Sequence, residues 1–178
     1  MSDLDPRLAL LRGLIRDVPD FPKPGILFKD ITPLLADPRG LATAVALIAE
    51  RFDDARIDTV VGIESRGFLF AAPLAVRLGA GFVPARKPGK LPSRADRVAY
   101  ALEYGSDALE LHSDAIHRGA RVLIVDDVIA TGGTAWAAAE LVRRQGGVLC
   151  GAAFLLELGF LGGRARLAPV ETSALLTY

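Results

Sequence analysis

The sequence predicts an α/β fold: a mainly parallel central sheet flanked by helices, with a small N-terminal hood and an antiparallel flap. Three observations predict it. Short apolar, β-branched runs recur at 59–63, 81–85, 122–125 and 148–156, and helix-forming stretches at 68–78 and 134–144 separate successive runs. Polar residues gather where the runs end, as Glu64-Ser65-Arg66, Arg86-Lys87 and Asp126-Asp127. Strands joined through helices must return in the same direction, which makes the pairing parallel. In such sheets ligands collect beyond the carboxyl ends of the strands, where helix N-termini also point.

Taken in order, Asp5-Pro6 and Asp37-Pro38 each put a capping acid before a proline that suits a first helical turn. Apolar residues follow at helical spacing: Leu8, Leu11, Ile15 and Val18, then Leu41, Val45, Ile48 and Phe52. The hood, about 1–35, includes the proline-stiffened segment 21–30, too broken for a long helix. Its Phe28 can stack on a flat ring, and the backbone at Leu27 and Lys29 can read a ring edge. Packing of Phe21 and Phe28 onto a core is the simpler reading from pattern alone. The flap, about 92–117, follows from Val98, Tyr100, Leu102 and Tyr104 alternating on one side, a Gly105-Ser106-Asp107 turn, and Leu109 and Leu111 resuming the alternation. Glu103 falls on the opposite face, suited to closing over a reactive site. Pattern alone favours a solvent-facing acid on an ordinary hairpin.

A chain of 178 residues, 51% hydrophobic and without a Ser/Gly-rich linker, is expected to form one domain over 1–178. Basic and acidic residues number 21 each, so no general field favours nucleic acid or an anionic membrane. Any anion site must be local. The single cysteine, Cys150, forms no intrachain disulfide, the first residues do not read as a signal segment, and the apolar tract 148–156 is too short to span a bilayer. These features place the expected location in the cytoplasm.

The run 125–134 concentrates the chemistry. An apolar strand leads into Asp126 and Asp127, then a small-residue loop, Ala130-Thr131-Gly132-Gly133-Thr134, that opens a helix. Backbone N–H groups at the loop, the Thr131 and Thr134 hydroxyls and the helix dipole can converge on a phosphate. Asp126 and Asp127 cannot bind that anion; they suit ribose hydroxyls or a hydrated magnesium ion. The run lacks the Gly-Lys-Ser/Thr ending of a triphosphate loop and the three-glycine spacing of a dinucleotide site. Ser65 and Arg66, with Glu64 in the same turn, can hold a second anion such as pyrophosphate, and Arg86, Lys87 and Lys90 form a basic loop at the next strand end. Such a loop is often only a solvated surface; its position beside two other anion-suited loops favours function.

These residues resemble the type I phosphoribosyltransferases, and in particular their adenine-specific branch, over nearly the whole chain. The resemblance rests on four motifs in order, at 21–33, 61–70, 83–92 and 125–134, joined by Leu102-Glu103-Tyr104-Gly105. It implies the type I phosphoribosyltransferase fold and transfer of phosphoribose from 5-phosphoribosyl 1-pyrophosphate (PRPP) to adenine, giving AMP and pyrophosphate. It further implies that Ala130, Thr131, Gly132, Gly133 and Thr134 hold the 5-phosphate, while Asp126 and Asp127 engage the ribose. Glu64, Ser65, Arg66, Arg86, Lys87 and Lys90 would face pyrophosphate, the basic loop being shared within a homodimer. Glu103 would be the flap acid assisting the adenine ring nitrogen, with Tyr104 beside it. Leu27, Phe28, Lys29 and Leu158 would contact adenine; relatives commonly carry Arg at position 29, so the backbone role there is the firmer one. Magnesium would be held mainly by substrate, with no direct protein ligand and a water-bridged approach to Asp127.

The chemistry agrees with the resemblance. Departure of pyrophosphate leaves oxocarbenium-like charge on the ribose, so neutralising the leaving group and excluding water both help, and no covalent nucleophile is required. Two other readings compete. A purine or PRPP sensor that binds without turnover normally adds a DNA-binding module, for which this chain has no spare segment. A phosphoribosyltransferase for another purine, such as xanthine, would change the hood.

Overall fold

The computed structural model describes residues 5–101 and 106–178. The chain divides into two compact units, Met1–Leu47 and Ile48–Tyr178. In the first, α1 (Pro6–Gly13) is capped as expected: the Asp5 carboxylate accepts from the Arg7 backbone N–H at 2.8 Å. The helix stops at Gly13, and Val18, expected on its apolar face, lies instead on β1 (Arg16–Pro19), which pairs antiparallel with β2 (Leu27–Asp30). Glycine followed by β-branched Ile15 and Val18 and then Pro19 favours extended backbone over a further helical turn. A short helix α2 (Thr32–Ala36) follows, and Asp37 then caps α3 (Pro38–Glu50) through the N–H groups of Arg39 and Gly40, both at 2.8 Å. Leu11, Ile31 and Leu34 are fully buried.

The second unit carries a five-stranded parallel sheet: β3 (Thr59–Ile63), β4 (Gly81–Ala85), β7 (Arg121–Ile129), β8 (Val148–Glu157) and β9 (Thr172–Thr177), in the order β4-β3-β7-β8-β9. The expected α/β class and parallel pairing are found. β9 was not anticipated, because 3₁₀ turns rather than a long helix join it to β8 and its apolar residues are interrupted by Thr and Ser. α4 (Gly67–Leu78) and α5 (Gly133–Arg144) connect β3 to β4 and β7 to β8. Strand alternation divides the core: Val61, Ile63, Val122 and Ile124 join one cluster with Ala138, Leu141 and Val142 of α5. Phe70, Ala71, Leu74 and Ala75 on α4 are buried outside that cluster.

β5 (Ala95–Ala101) and β6 (Ser106–His112) form the expected antiparallel flap, but Ser106 and Asp107 belong to β6, opposite Ala101 and Tyr100, rather than to a turn. Nor is the stem a free two-faced ribbon: Val98, Tyr100, Leu109 and Leu111 are part of the α5 core cluster. Their apolar alternation serves anchoring. Leu102, Glu103, Tyr104 and Gly105 lie outside the described residues. Among the described residues no helix is long and apolar enough to cross a membrane.

Candidate active site

A pocket of about 340 Å³ opens at the carboxyl ends of β3 and β7, within the size range of small-molecule sites. It is lined by Glu64, Ser65, Arg66, Lys87 and the continuous stretch from Asp126 to Ala135. Three sequence motifs separated by some 20 to 40 residues thus meet in one place, because β3 lies between β4 and β7 in the sheet. Arg86, Lys90 and Leu158 are not among the lining residues. Leu158 nevertheless sits at the end of β8 and donates its N–H to Ile129 O at 3.0 Å, beside the point where the phosphate loop begins.

The acid pair sits deeper than expected. β7 runs on to Ile129, with Asp126 opposite Phe154 and Val128 opposite Leu156, so both carboxylates stand within the strand and not after it. Asp127 is 4% exposed and its Oδ2 lies 2.9 Å from Arg66 Nε. Asp126 Oδ1 accepts the Asp127 N–H at 2.8 Å. Burial, then the neighbouring Asp127 charge, pushes the Asp126 carboxyl well above the usual carboxylate range. Burial also raises Asp127, against the opposing pull of the Arg66 guanidinium.

The loop 130–134 is shaped from behind. Gly132 has φ +77°, a conformation that L side chains rarely adopt, and α5 starts at the next residue. Gly163, in the 3₁₀ turn after β8, packs its backbone directly on the loop: a Cβ there would stand 2.2 Å from Ala130 O and 2.7 Å from Gly132 N. No sequence motif pointed to Gly163, since its contact partners are more than thirty residues away.

The basic loop is more firmly held than a solvated surface loop. Glu64 Oε2 accepts from Arg86 Nε at 3.0 Å and from the Lys87 N–H at 2.8 Å, and the Arg86 hydrogen bond, with the loop's other positive groups, lowers the Glu64 pKa. On the other side, Arg86 and Glu110 exchange backbone hydrogen bonds, and Glu110 Oε2 accepts from the Gly89 N–H at 3.0 Å. The Lys87 ammonium reaches the Asp107 carboxylate and, at 3.0 Å, the Tyr100 hydroxyl. Burial opposes the Lys87 charge, but these two partners outweigh it and raise the pKa. Glu110, Asp107 and Tyr100 were missed as partners because only the hairpin register reveals which flap positions stand opposite each other.

In the first unit, Lys29 Nζ lies 2.6 Å from Asp17 Oδ1 across the β1–β2 hairpin. The Phe28 ring meets Phe21 edge-on at 5.1 Å, and Leu27 is 52% exposed. The Lys29 side chain is therefore engaged within its own hairpin, which suits a backbone role at that position. Among the described residues no group of three or more His, Cys, Asp or Glu side chains is placed to hold a metal ion. Glu64, Asp126 and Asp127 line the pocket as separate carboxylates, Glu64 held by Arg86 and Asp127 beside Arg66, and not as a metal-binding cluster.

Residues 30–169 match the family model described as a phosphoribosyl transferase domain. The chain is 65% identical over 161 residues to an adenine phosphoribosyltransferase of Sorangium cellulosum, covering 90% of this chain and 80% of that protein. The crystal structure of adenine phosphoribosyltransferase from Thermoanaerobacter pseudethanolicus superposes with a TM-score of 0.93 at 48% identity, covering 96% of this chain and 99% of that one. The Saccharomyces cerevisiae enzyme, complexed with an imino-altritol bisphosphate and adenine, gives a TM-score of 0.92 at 42% identity and the same coverage. With the phosphate loop, acid pair and basic turn gathered in one pocket and these likenesses spanning almost the entire chain, the protein belongs to the adenine phosphoribosyltransferase family.

Proposed function

We propose that this chain transfers the 5-phosphoribosyl group of PRPP to adenine, forming AMP and pyrophosphate in purine salvage. The observation that carries the reading is the single pocket in which the 130–134 loop, Asp126-Asp127 and the Glu64-Ser65-Arg66 turn line one cavity with Lys87. The loop amides and the Thr131 and Thr134 hydroxyls bind the 5-phosphate at the positive end of α5. Asp126 and Asp127 orient the ribose hydroxyls. Arg66, Lys87 and the Ser65 turn stabilise the departing pyrophosphate, with Arg86 and Lys90 completing the basic loop. Bound magnesium, held by the substrate's phosphates and through water to Asp127, supplies further charge neutralisation on the leaving group. Adenine recognition falls to Leu27, Phe28, Lys29 and Leu158, and proton handling at the ring nitrogen to Glu103, next to Tyr104 in sequence.

The protein works as a homodimer in the cytoplasm under this reading. Supporting the dimer, α4 leaves Leu69 and Val76 exposed, Val76 at 84%, and Phe82 is exposed on the adjacent edge strand β4. The lone, unpaired Cys150 suits a reducing compartment. Val76→Asp should convert a dimer to monomer in sedimentation; a monomeric parent protein would reject the assignment. The activity is tested by AMP formation from adenine, PRPP and magnesium, with hypoxanthine, guanine and xanthine in parallel. Preference for adenine is expected. Turnover only with another base rejects the hood assignment, and tight binding without turnover points to a sensor.

A further inference from the structure

The Lys87 ammonium has two partners that the phosphoribosyl-transfer reading does not use. Tyr100 and Asp107 stand directly opposite each other in the flap stem, on β5 and β6. Their cross-strand pairing brings the phenol oxygen to 3.2 Å from Asp107 Oδ2, and both groups hold Lys87 Nζ. The Tyr100 ring centroid is 5.6 Å from the same nitrogen. Tyr100 is buried and belongs to the α5 core cluster, so this partner is fixed in place. An ammonium offers three donors; with two spent on Tyr100 and Asp107, the third remains for a ligand in the pocket that Lys87 lines. The backbone is secured in parallel, since the Lys87 N–H is held by Glu64 and the turn beyond it by Glu110.

Two consequences of this arrangement pull in opposite directions. Asp107 can compete with an incoming anion for Lys87, or it can remove the rotamer freedom of a long flexible side chain and leave its charge aimed at the site. A free lysine loses on the order of 2 kcal/mol of side-chain entropy when a ligand immobilises it. Here that cost is met on folding, by a buried phenol and a carboxylate fixed to a paired strand. The Lys87 and Asp107 side chains keep 36% and 30% of their surface exposed, so the ammonium stays open to a solvated anion.

We infer that Asp107, together with the Tyr100 hydroxyl, is a positioning residue that aims the Lys87 ammonium at the pyrophosphate end of the pocket and ties the basic loop to the flap stem. The inference rests on the proposed phosphoribosyl transfer and adds a residue pair to it. The stem becomes part of the leaving-group site: a change in the flap is felt by Lys87, and an anion on Lys87 is felt by the flap.

The test is a double-mutant cycle on the full-length protein, read as pyrophosphate affinity by calorimetry and as KM for PRPP. Asp107→Asn should weaken both by roughly tenfold, the loss of one charge-assisted bond, with KM for adenine within twofold of the parent. Tyr100→Phe, which keeps the ring and removes only the hydroxyl, should weaken them in the same direction by less. In a Lys87→Gln background neither change should cost anything further, because the two residues act through the lysine. Equal losses in both backgrounds overturn the inference, as does tighter pyrophosphate binding by Asp107→Asn, which would make Asp107 a competitor. If Asp107→Asn melts early, Tyr100→Phe and its pair with Lys87→Gln decide alone. An absence of AMP formation by the parent protein, with PRPP still bound, rejects the catalytic reading instead and leaves the cycle readable through pyrophosphate affinity.

Discussion

Replacing Gly163 by alanine tests whether the phosphate loop is shaped by the backbone behind it. The new Cβ would lie 2.2 Å from Ala130 O and 2.7 Å from Gly132 N, both backbone atoms that cannot rotate away. Restoring ordinary contact requires the two segments to separate by roughly 1–2 Å, given contact distances of roughly 3.5–4.0 Å. Overpacking of this kind costs about 1–3 kcal/mol of stability. The functional cost should be larger, since the displaced atoms belong to the loop proposed to receive the 5-phosphate, and a misplacement of about 1 Å can lower activity by roughly a hundredfold. Isothermal titration with AMP, steady-state KM for PRPP and thermal melting separate the two effects. Gly162→Ala is the companion: Gly162 also has a positive φ, at +64°, but nothing lies within 4 Å of its would-be Cβ. It should lower the melting temperature without a comparable loss of AMP binding. AMP affinity within threefold of the parent in a folded Gly163→Ala protein would refute the argument, because the loop would then keep its shape without the close approach.

Other substitutions probe the acids. Asp126→Asn should stabilise the unliganded protein at pH 7 while impairing turnover. The folded-state pKa of Asp126 is raised, so its contribution to stability is full below the unfolded value and is lost as pH rises through the folded one. The gain from asparagine should therefore appear above about pH 4 and vanish below it, with about 2–4 °C of melting temperature for each kcal/mol relieved; equal gain at pH 3 and pH 7 rejects the burial argument. Asp127→Asn and Thr131→Ala should raise KM for PRPP, whereas Glu103→Gln should lower kcat with little change in KM. Small and equal effects in all three would sink the division between binding and proton-handling roles.

The parallel core of the sheet was legible because its strands are buried on both faces and read as unbroken apolar runs, as at Val122 to Val125. β1 and β2 were not, being four residues each without one buried position, and with no apolar alternation to mark them. The run 126–134 could be picked out directly, since its residues are contiguous in sequence, and they line one pocket. The grip on the basic loop could not. Glu64, Glu110 and Asp107 are ordinary acids until strand register brings them to Arg86, Gly89 and Lys87. Likewise, Asp126 and Asp127 read as a pair that follows the strand, and only the continuation of β7 to Ile129 beside β8 places them within it, with Asp127 almost fully buried.

The order β4-β3-β7-β8 has a consequence for how such a protein can change its substrate. Under the proposed assignment, the loops after β4 and β3 meet the leaving group and the loop after β7 meets the sugar phosphate, so neighbouring strands serve the two ends of PRPP. Each chemical fragment has its own neighbouring strand as an address. Changes in the hood segment 21–30 can therefore alter base choice while the addresses for phosphate and pyrophosphate stay fixed, whereas a change at Gly163, after β8, reaches the 130–134 loop.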